Sequence, residues 1–329
     1  MNESGLNSQR QFTSANAALP APGVALASPH ARRMQRSITL VAVIIPFLGF
    51  LAVVALLWGR SVGFLELGLL LLMYVLSVLG IEVGFHRYFS HHAFQAHQAV
   101  RVALAILGSM TVQGPVLFWV AIHRRHHAYS DQPGDPHSPH LHGDGLVGTL
   151  RGLWHAHVGW LFAFENTDWV RYAPDLLRDP VIFHINRLYP LWVSLGLLLP
   201  TVLGGLLTMT WTGALYGLLW GGLARIFLVH HSIWSVNSLC HCFGSRTFQS
   251  KDQSTNNVWL APISLGGSWH NNHHAFPGSA RNGFAWWQID PSGWFIRILE
   301  LLGLAWDVKA PSSDMIEKAK KRPARVRAA

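Results

Sequence analysis

Charge is scarce in this 329-residue chain: 12% of its residues are Asp, Glu, Lys or Arg, about half the share of an ordinary globular domain. Half of the residues are hydrophobic, a balance that excludes a typical soluble protein and points to a membrane. Acids are the scarcer sign, 16 against 25 bases, leaving a formal charge of +9. Much of that excess sits near the ends, at Arg32, Arg33 and Arg36 and at Lys309, Lys318, Lys320, Lys321, Arg322, Arg325 and Arg327. No groove-reading motif accompanies these bases, so anionic lipid and the positive-inside rule account for them and no nucleic-acid partner is expected. Cysteine is nearly absent. Cys240 and Cys242 flank His241, too close for a relaxed disulfide, so a disulfide framework is excluded and small packing residues are expected there. A cleavable signal peptide is not evident, because a long polar stretch precedes the first apolar run.

What is present is long apolar runs and tryptophan, 15 in all, suited to interfacial belts. Residues 1–36, rich in Ser, Ala, Pro, Asn and Gln without an apolar period, read as a disordered leader. Spans are expected at about 38–58 and 62–81, joined by a turn at Gly59-Arg60-Ser61, and at about 188–209 and 212–235. The expected fold is therefore an all-α integral membrane protein of four transmembrane helices in two hairpins. A helical cap, 82–187 with 236–308, completes a membrane domain over 37–308, and 309–329 form a basic tail. Bases before the first span and after the last place both termini and the cap in the cytoplasm. The apolar segment Val100 to Ile122 contains Arg101, Gln113, Gly114 and Pro115, and reads as helices at the membrane surface or under the cap. A fifth crossing there would separate the histidine boxes. Ile289 to Trp306 reads as an amphipathic packing helix.

Three histidine clusters carry the chemistry: His86-Arg87-Tyr88-Phe89-Ser90-His91, His123-Arg124-Arg125-His126-His127 and His270-Asn271-Asn272-His273-His274. On a helix, the H-x2-H-H spacing puts the first and last histidine of each later box on one face, with the middle one beside them. Imidazole suits Fe, Zn, Cu and Ni, and eight ligands exceed the needs of one ion, so two neighbouring metals are expected. Asp131, Asp135, His137, Asn271 and Asn272 lie within or just past the boxes, placed to orient the ligand rings. Of the remaining histidines, His230 and His231, at the end of the fourth span, are the best placed to support them.

These boxes resemble the integral-membrane fatty acid desaturases of the acyl-CoA delta-9 type, bacterial members included. The resemblance rests on Gly84 to His91, on His123 to His127 followed by Asp135-Pro136-His137, and on His270 to Pro277, and it covers roughly residues 38–308. It implies a di-iron centre and a ninth histidine ligand, His241, in the segment Ser235 to Gly244, with Asn237 holding a metal-bound water. It further implies that Trp119, His157 and Trp160 line the acyl tunnel or support ligands. Animal members carry a glutamate before the third box where this chain has Gly266-Gly267-Ser268-Trp269, so the resemblance does not carry over a role that depends on that carboxylate.

The implied activity is insertion of a cis double bond, delta-9 by resemblance, into a saturated acyl chain, with two Fe2+ as cofactors and O2 as co-substrate. No amino-acid side chain cleaves an unactivated methylene C–H bond, and zinc lacks redox chemistry. The expected partners are a fatty acyl-CoA or acyl lipid, the lipid bilayer, and a separate electron donor of ferredoxin, rubredoxin or cytochrome b5 type with its reductase. No fused electron-carrier domain is expected. The inner membrane of a bacterial cell is the expected location. Two rival readings are a di-iron membrane hydroxylase of alkanes, sterols or carotenoids, and a membrane metal transporter. The transporter would place its histidines inside the spans, whereas the boxes fall at their ends.

Overall fold

The computed structural model describes residues 22–57 and 63–321; the expected turn at Gly59-Arg60-Ser61 lies outside them. Among the described residues the chain is helical, with two short two-stranded pairings. Strand β1 (Val24–Leu26) leads into α1 (Pro29–Leu57), then come α2 (Phe64–Leu79) with a π-helical extension (Gly80–Ser90), β2 (Gln95–Ala96), α3 (Gln98–Ser109), α4 (Val116–Tyr129) and α5 (Gly145–His157). After β3 (Glu165–Thr167) three short helices follow, α6 (Trp169–Tyr172), α7 (Pro174–Arg178) and α8 (Pro180–Arg187). The second hairpin is α9 (Tyr189–Thr208) and α10 (Trp211–Tyr216), the latter continuing through a π-helical stretch, Gly217–Ala224, into α11 (Arg225–Ser238). The chain then forms α12 (His270–Ala275), α13 (Pro291–Leu301), β4 (Ala305–Trp306) and α14 (Ser313–Lys320).

Four continuous helices are long and apolar enough to cross a membrane: Pro29–Leu57, Phe64–Ser90, Tyr189–Thr208 and Trp211–His241. Each overlaps an expected span, but two run further than their apolar composition alone shows. Helix α1 begins at Pro29 rather than Ile38, so part of the expected leader is ordered. Ser28 Oγ accepts from Ala31 N at 3.3 Å, and Pro29 occupies the first helical position that suits its fixed φ. Ahead of it, β1 pairs antiparallel with β3, Val24 opposite Thr167. The second span runs past Ile81 to Ser90 because the first histidine box continues its helix.

Close approach of backbones holds the hairpins together. A Cβ on Gly213 would lie 2.6 Å from the Gly204 carbonyl oxygen, and one on Gly217 would lie 2.1 Å from that of Pro200, the small-residue packing that membrane helices favour. Arg225 is fully buried and donates to the carbonyls of Gly221, Met110 and Gly196 at 3.1, 2.9 and 2.6 Å. It thereby satisfies irregular backbone at the end of α3 that lipid would leave unpaired. The segment Val100 to Ile122 does not form one helix of span length: α3 and α4 are separate, shorter helices, and Leu104, Ala105, Leu117 and Val120 are buried in the core.

Candidate metal centre

The first box shows how the local fold serves the site. In an α-helix, residues five apart project about 140° from each other, which would send His86 and His91 to different faces. The π-helical turn, with its i→i+5 repeat, brings them together. Buried Glu82, one turn before His86, accepts from its Nδ1 at 3.2 Å. The second box lies on α4 and the third on α12, where the spacing of four brings the Nε2 atoms of His270 and His274 to 3.0 Å.

The nine histidines fall into two groups of converging nitrogens. His86, His91, His123, His127 and His273 form one; His126, His241, His270 and His274 form the other. The outer histidines of each later box share a group, as their spacing predicts, but the middle ones, His126 and His273, cross to the opposite group instead of lying beside them. Nε2 of His273 is 3.0 Å from that of His86 and 2.9 Å from that of His127; Nε2 of His91 and His123 are 2.8 Å apart. In the other group Nε2 of His241 is 3.1 Å from that of His270.

Carboxylates fix the rings from behind. Asp135 accepts from His126 Nδ1 at 3.0 Å, Asp131 from His241 Nδ1 at 2.8 Å and Asp252 from His274 Nδ1 at 2.7 Å. Assigning the Nδ1 proton to each of these bonds leaves a lone pair on every corresponding Nε2. The lone pairs of His241 and His274 then both face His270, while His126 Nε2 is buried without a hydrogen-bond partner. Lone pairs converging in a dry site repel each other unless a cation lies between them, so the donor set fits a metal. Burial, aided by repulsion from neighbouring rings, holds His91, His123, His127, His270 and His273 well below the usual imidazole range. They are therefore neutral, the ligand form. Burial also lowers His274, to about 4, against the opposing pull of Asp252. For Asp131, burial works to raise the pKa, but the His241 bond and charge, with Gln253 N and Ser138 Oγ, bring it down to about 2.

Asp131 and Asp135 thus take the expected orienting roles, and Glu82 and Asp252 join them unforeseen. An acid at the end of the second apolar run, one turn before a box histidine, is the available signal for Glu82; Asp252 lies in a polar loop with none. His137 packs at 4.5 Å from the His126 ring. Asn271 and Asn272 do not orient rings. Asn271 bonds the Phe248 backbone and Asn272 bonds Asn256, Gln288 and the Asn282 carbonyl, which moors α12 to its surrounding loops. His230 and His231 do not support ligands either, since their rings meet Thr111 O and His157 Nε2 respectively.

Beside the first group lies a largely apolar cavity of about 910 Å³. Residues at the start of α1, the 112–115 loop, the start of α9 and the end of α11 wall it, and His123, His137 and Asn237 face it. Trp119 and Trp160 line it, Trp119 stacked on His123 with centroids 5.0 Å apart. His157 lies behind the wall, bonded to Ser238 Oγ and His231.

Four membrane-length helices, two imidazole clusters and an adjoining apolar cavity define an integral-membrane protein with a polyhistidine metal site beside room for an apolar chain. The sequence profile of the family described as Fatty acid desaturase matches residues 63–292, and the chain belongs to that family. It is 52% identical over 297 residues, 90% of this chain and 92% of the relative, to the hex-5-enoyl-[acyl-carrier protein] acetylenase of Moorena producens (strain JHB). It is 38% identical over 243 residues (73% and 82%) to the sn-1 stearoyl-lipid 9-desaturase of Anabaena variabilis. The match to Delta-9 acyl-lipid desaturase 1 of Arabidopsis thaliana is 38% over 265 residues, 78% of each chain. The chain is thus a fatty acid desaturase, an oxidoreductase acting on fatty acyl chains, and the transporter reading is set aside.

Proposed function

We propose that the two histidine groups each hold one iron ion and that the protein uses O2 to insert a cis double bond into a saturated acyl chain lying in the cavity. The observation that carries this reading is the convergence of five and four imidazole nitrogens next to an apolar cavity large enough for an extended chain. Bound iron would supply the redox chemistry that C–H cleavage requires. The protein's own residues do the rest. The nine histidines act as ligands and Asn237 holds a water. Glu82, Asp131, Asp135 and Asp252 keep the rings in one tautomer, and Trp119 and Trp160 steer the chain past His123. Cavity shape fixes which methylene pair is presented.

A membrane domain over 37–308, the cytoplasmic placement of both termini and the cap, the bacterial inner membrane and a separate electron carrier complete the proposal, supported by the basic flanks of the spans. Delta-9 regiochemistry is supported by the two 9-desaturase relatives. Those relatives are named for lipid-linked chains, which favours an acyl lipid over acyl-CoA. The acetylenase relative supports a second reading, in which an existing double bond is oxidised to an alkyne on a carrier-bound chain. Expression in a host that makes only saturated fatty acids, with lipid mass spectrometry and iron analysis, tests both. Alkenes support the first reading, alkynes from fed enoic acids the second. Hydroxylated products alone contradict both.

A further inference from the structure

The proposed reaction does not balance within the chain. RCH2CH2R′ + O2 + 2e⁻ + 2H⁺ gives RCH=CHR′ + 2H2O, so two of the four electrons that reduce O2 come from the broken C–H bonds and two enter from outside. Resting on that reading, we propose that the groove between α13 and the loop 280–288 is the docking surface of a small acidic one-electron carrier protein, and that the segment 287–290 connects it to the histidine clusters.

The groove encloses about 580 Å³ and shares no lining residue with the acyl cavity. Arg281, Arg297 and Lys309 are exposed along it. Against them stand Glu300, paired with Arg297 at 2.5 Å, and Asp290, whose carboxylate turns inward to Arg87 at 2.8 Å. The face left to a partner is therefore positive, complementary to an acidic protein and able to steer its approach. Trp286, 96% exposed on the rim, gives an aromatic anchor of the kind that dominates interfaces.

Three contacts lead inward, two from the groove's lining residues Asp290 and Gln288 and one from Trp287, which lies between the lining residues Trp286 and Gln288. Asp290 pairs with Arg87, the neighbour of His86; Gln288 accepts from Asn272 Nδ2 at 3.1 Å, inside the third box; and half-exposed Trp287 meets buried Trp269 edge-on, centroids 5.5 Å apart. Trp269 is the residue before His270 and is locked by its Nε1 bond to Ile289 O at 2.8 Å. An electron crosses such a tightly packed aromatic pair far more readily than an open gap of the same length. The groove also lies at the far end of the second span: Lys309 bonds the backbone of His92 and Ala93, just past the first box. That position puts it at the same end of the second span as the first box.

The test uses the iron-loaded full chain in nanodiscs with a [2Fe–2S] ferredoxin, kept reduced by its NADPH reductase, as the probe. The triple variant Arg281→Glu, Arg297→Glu, Lys309→Glu is expected to raise KM for ferredoxin at least about tenfold, with kcat within twofold and a flatter salt dependence. Equilibrium binding of ferredoxin, read without turnover, should weaken in parallel. Trp287→Ala should instead lower the rate at saturating ferredoxin several-fold, and Trp287→Phe should restore most of it. Single-turnover product formed with dithionite should be unchanged in all variants. Unaltered ferredoxin KM and binding in the triple variant overturn the docking surface, and an unaltered saturated rate in Trp287→Ala overturns the route. Absence of unsaturated product from the wild type with dithionite is a different result, which overturns the desaturase reading.

Discussion

Asp252 Oδ2 accepts a hydrogen bond from His274 Nδ1 at 2.7 Å, across 22 residues of sequence, and the same carboxylate group is held by Ser250 and Ser254. A carboxylate behind a ligand imidazole fixes its tautomer and raises its basicity. Asp252→Asn should therefore weaken iron binding by about 10- to 100-fold while the helical circular dichroism stays unchanged. Titration of the apo-protein with Fe2+ reads the difference, and equal affinities would leave Asp252 with a purely structural role.

Arg87 and Asp290 are both buried, 1% and 3% exposed at the side chain, and paired at 2.8 Å. Arg87→Met leaves a carboxylate without its counter-charge in the core and should cost about 3–5 kcal/mol. The double variant with Asp290→Asn should recover part of that loss, because the amide removes the unpaired charge and keeps an acceptor for the backbone N–H of Asn282 or Gly293. Thermal unfolding in detergent checks both.

Much of this architecture was readable in the sequence because its signals are periodic. Apolar runs of span length placed the four helices, and the H-x2-H-H spacing placed the outer histidines of each later box in one group. The division of labour between the groups was not readable. It depends on α4 and α12 facing each other, so that His126 and His273 reach across, a relationship carried by tertiary contact alone. His241 emerged only through family resemblance, since nothing in its local spacing marks a ligand. Glu82 and Asp252 were missed because their partners are set by a helix turn within a span and by a loop, and the start of α1 was missed because its first turns are polar.

Val193 lines the acyl cavity near the start of α9. Val193→Phe should shorten the space for the chain and shift selectivity toward shorter substrates, by about tenfold in relative kcat/KM. Iron content should not change. Competition between saturated chains of different length, read by mass spectrometry, measures the shift; unchanged selectivity would show that the chain does not reach α9.

Apo-protein stability should fall with acid earlier than an ordinary protein's. His91, His123, His127, His270 and His273 have folded pKa values below their unfolded value of about 6.5. The unfolded chain therefore binds more protons below that pH, and stability drops as pH falls through it. Asp131, lowered to about 2, contributes stability above about pH 4 that is lost as the pH falls further. Melting temperatures of the apo-protein from pH 8 to 5 should decline, and bound Fe2+ should flatten the curve. A flat apo curve would contradict the burial of neutral imidazoles.

The central claim is that five and four histidines form two separate iron sites. The most direct measurement is iron per chain, with Mössbauer spectra, for the wild type and for His241→Ala, which removes a ligand from the group of four. The wild type should bind about two irons in two environments, and the variant about one, keeping the spectrum of the five-histidine site. A wild type holding a single iron, or a variant that retains both with unchanged spectra, would contradict the account.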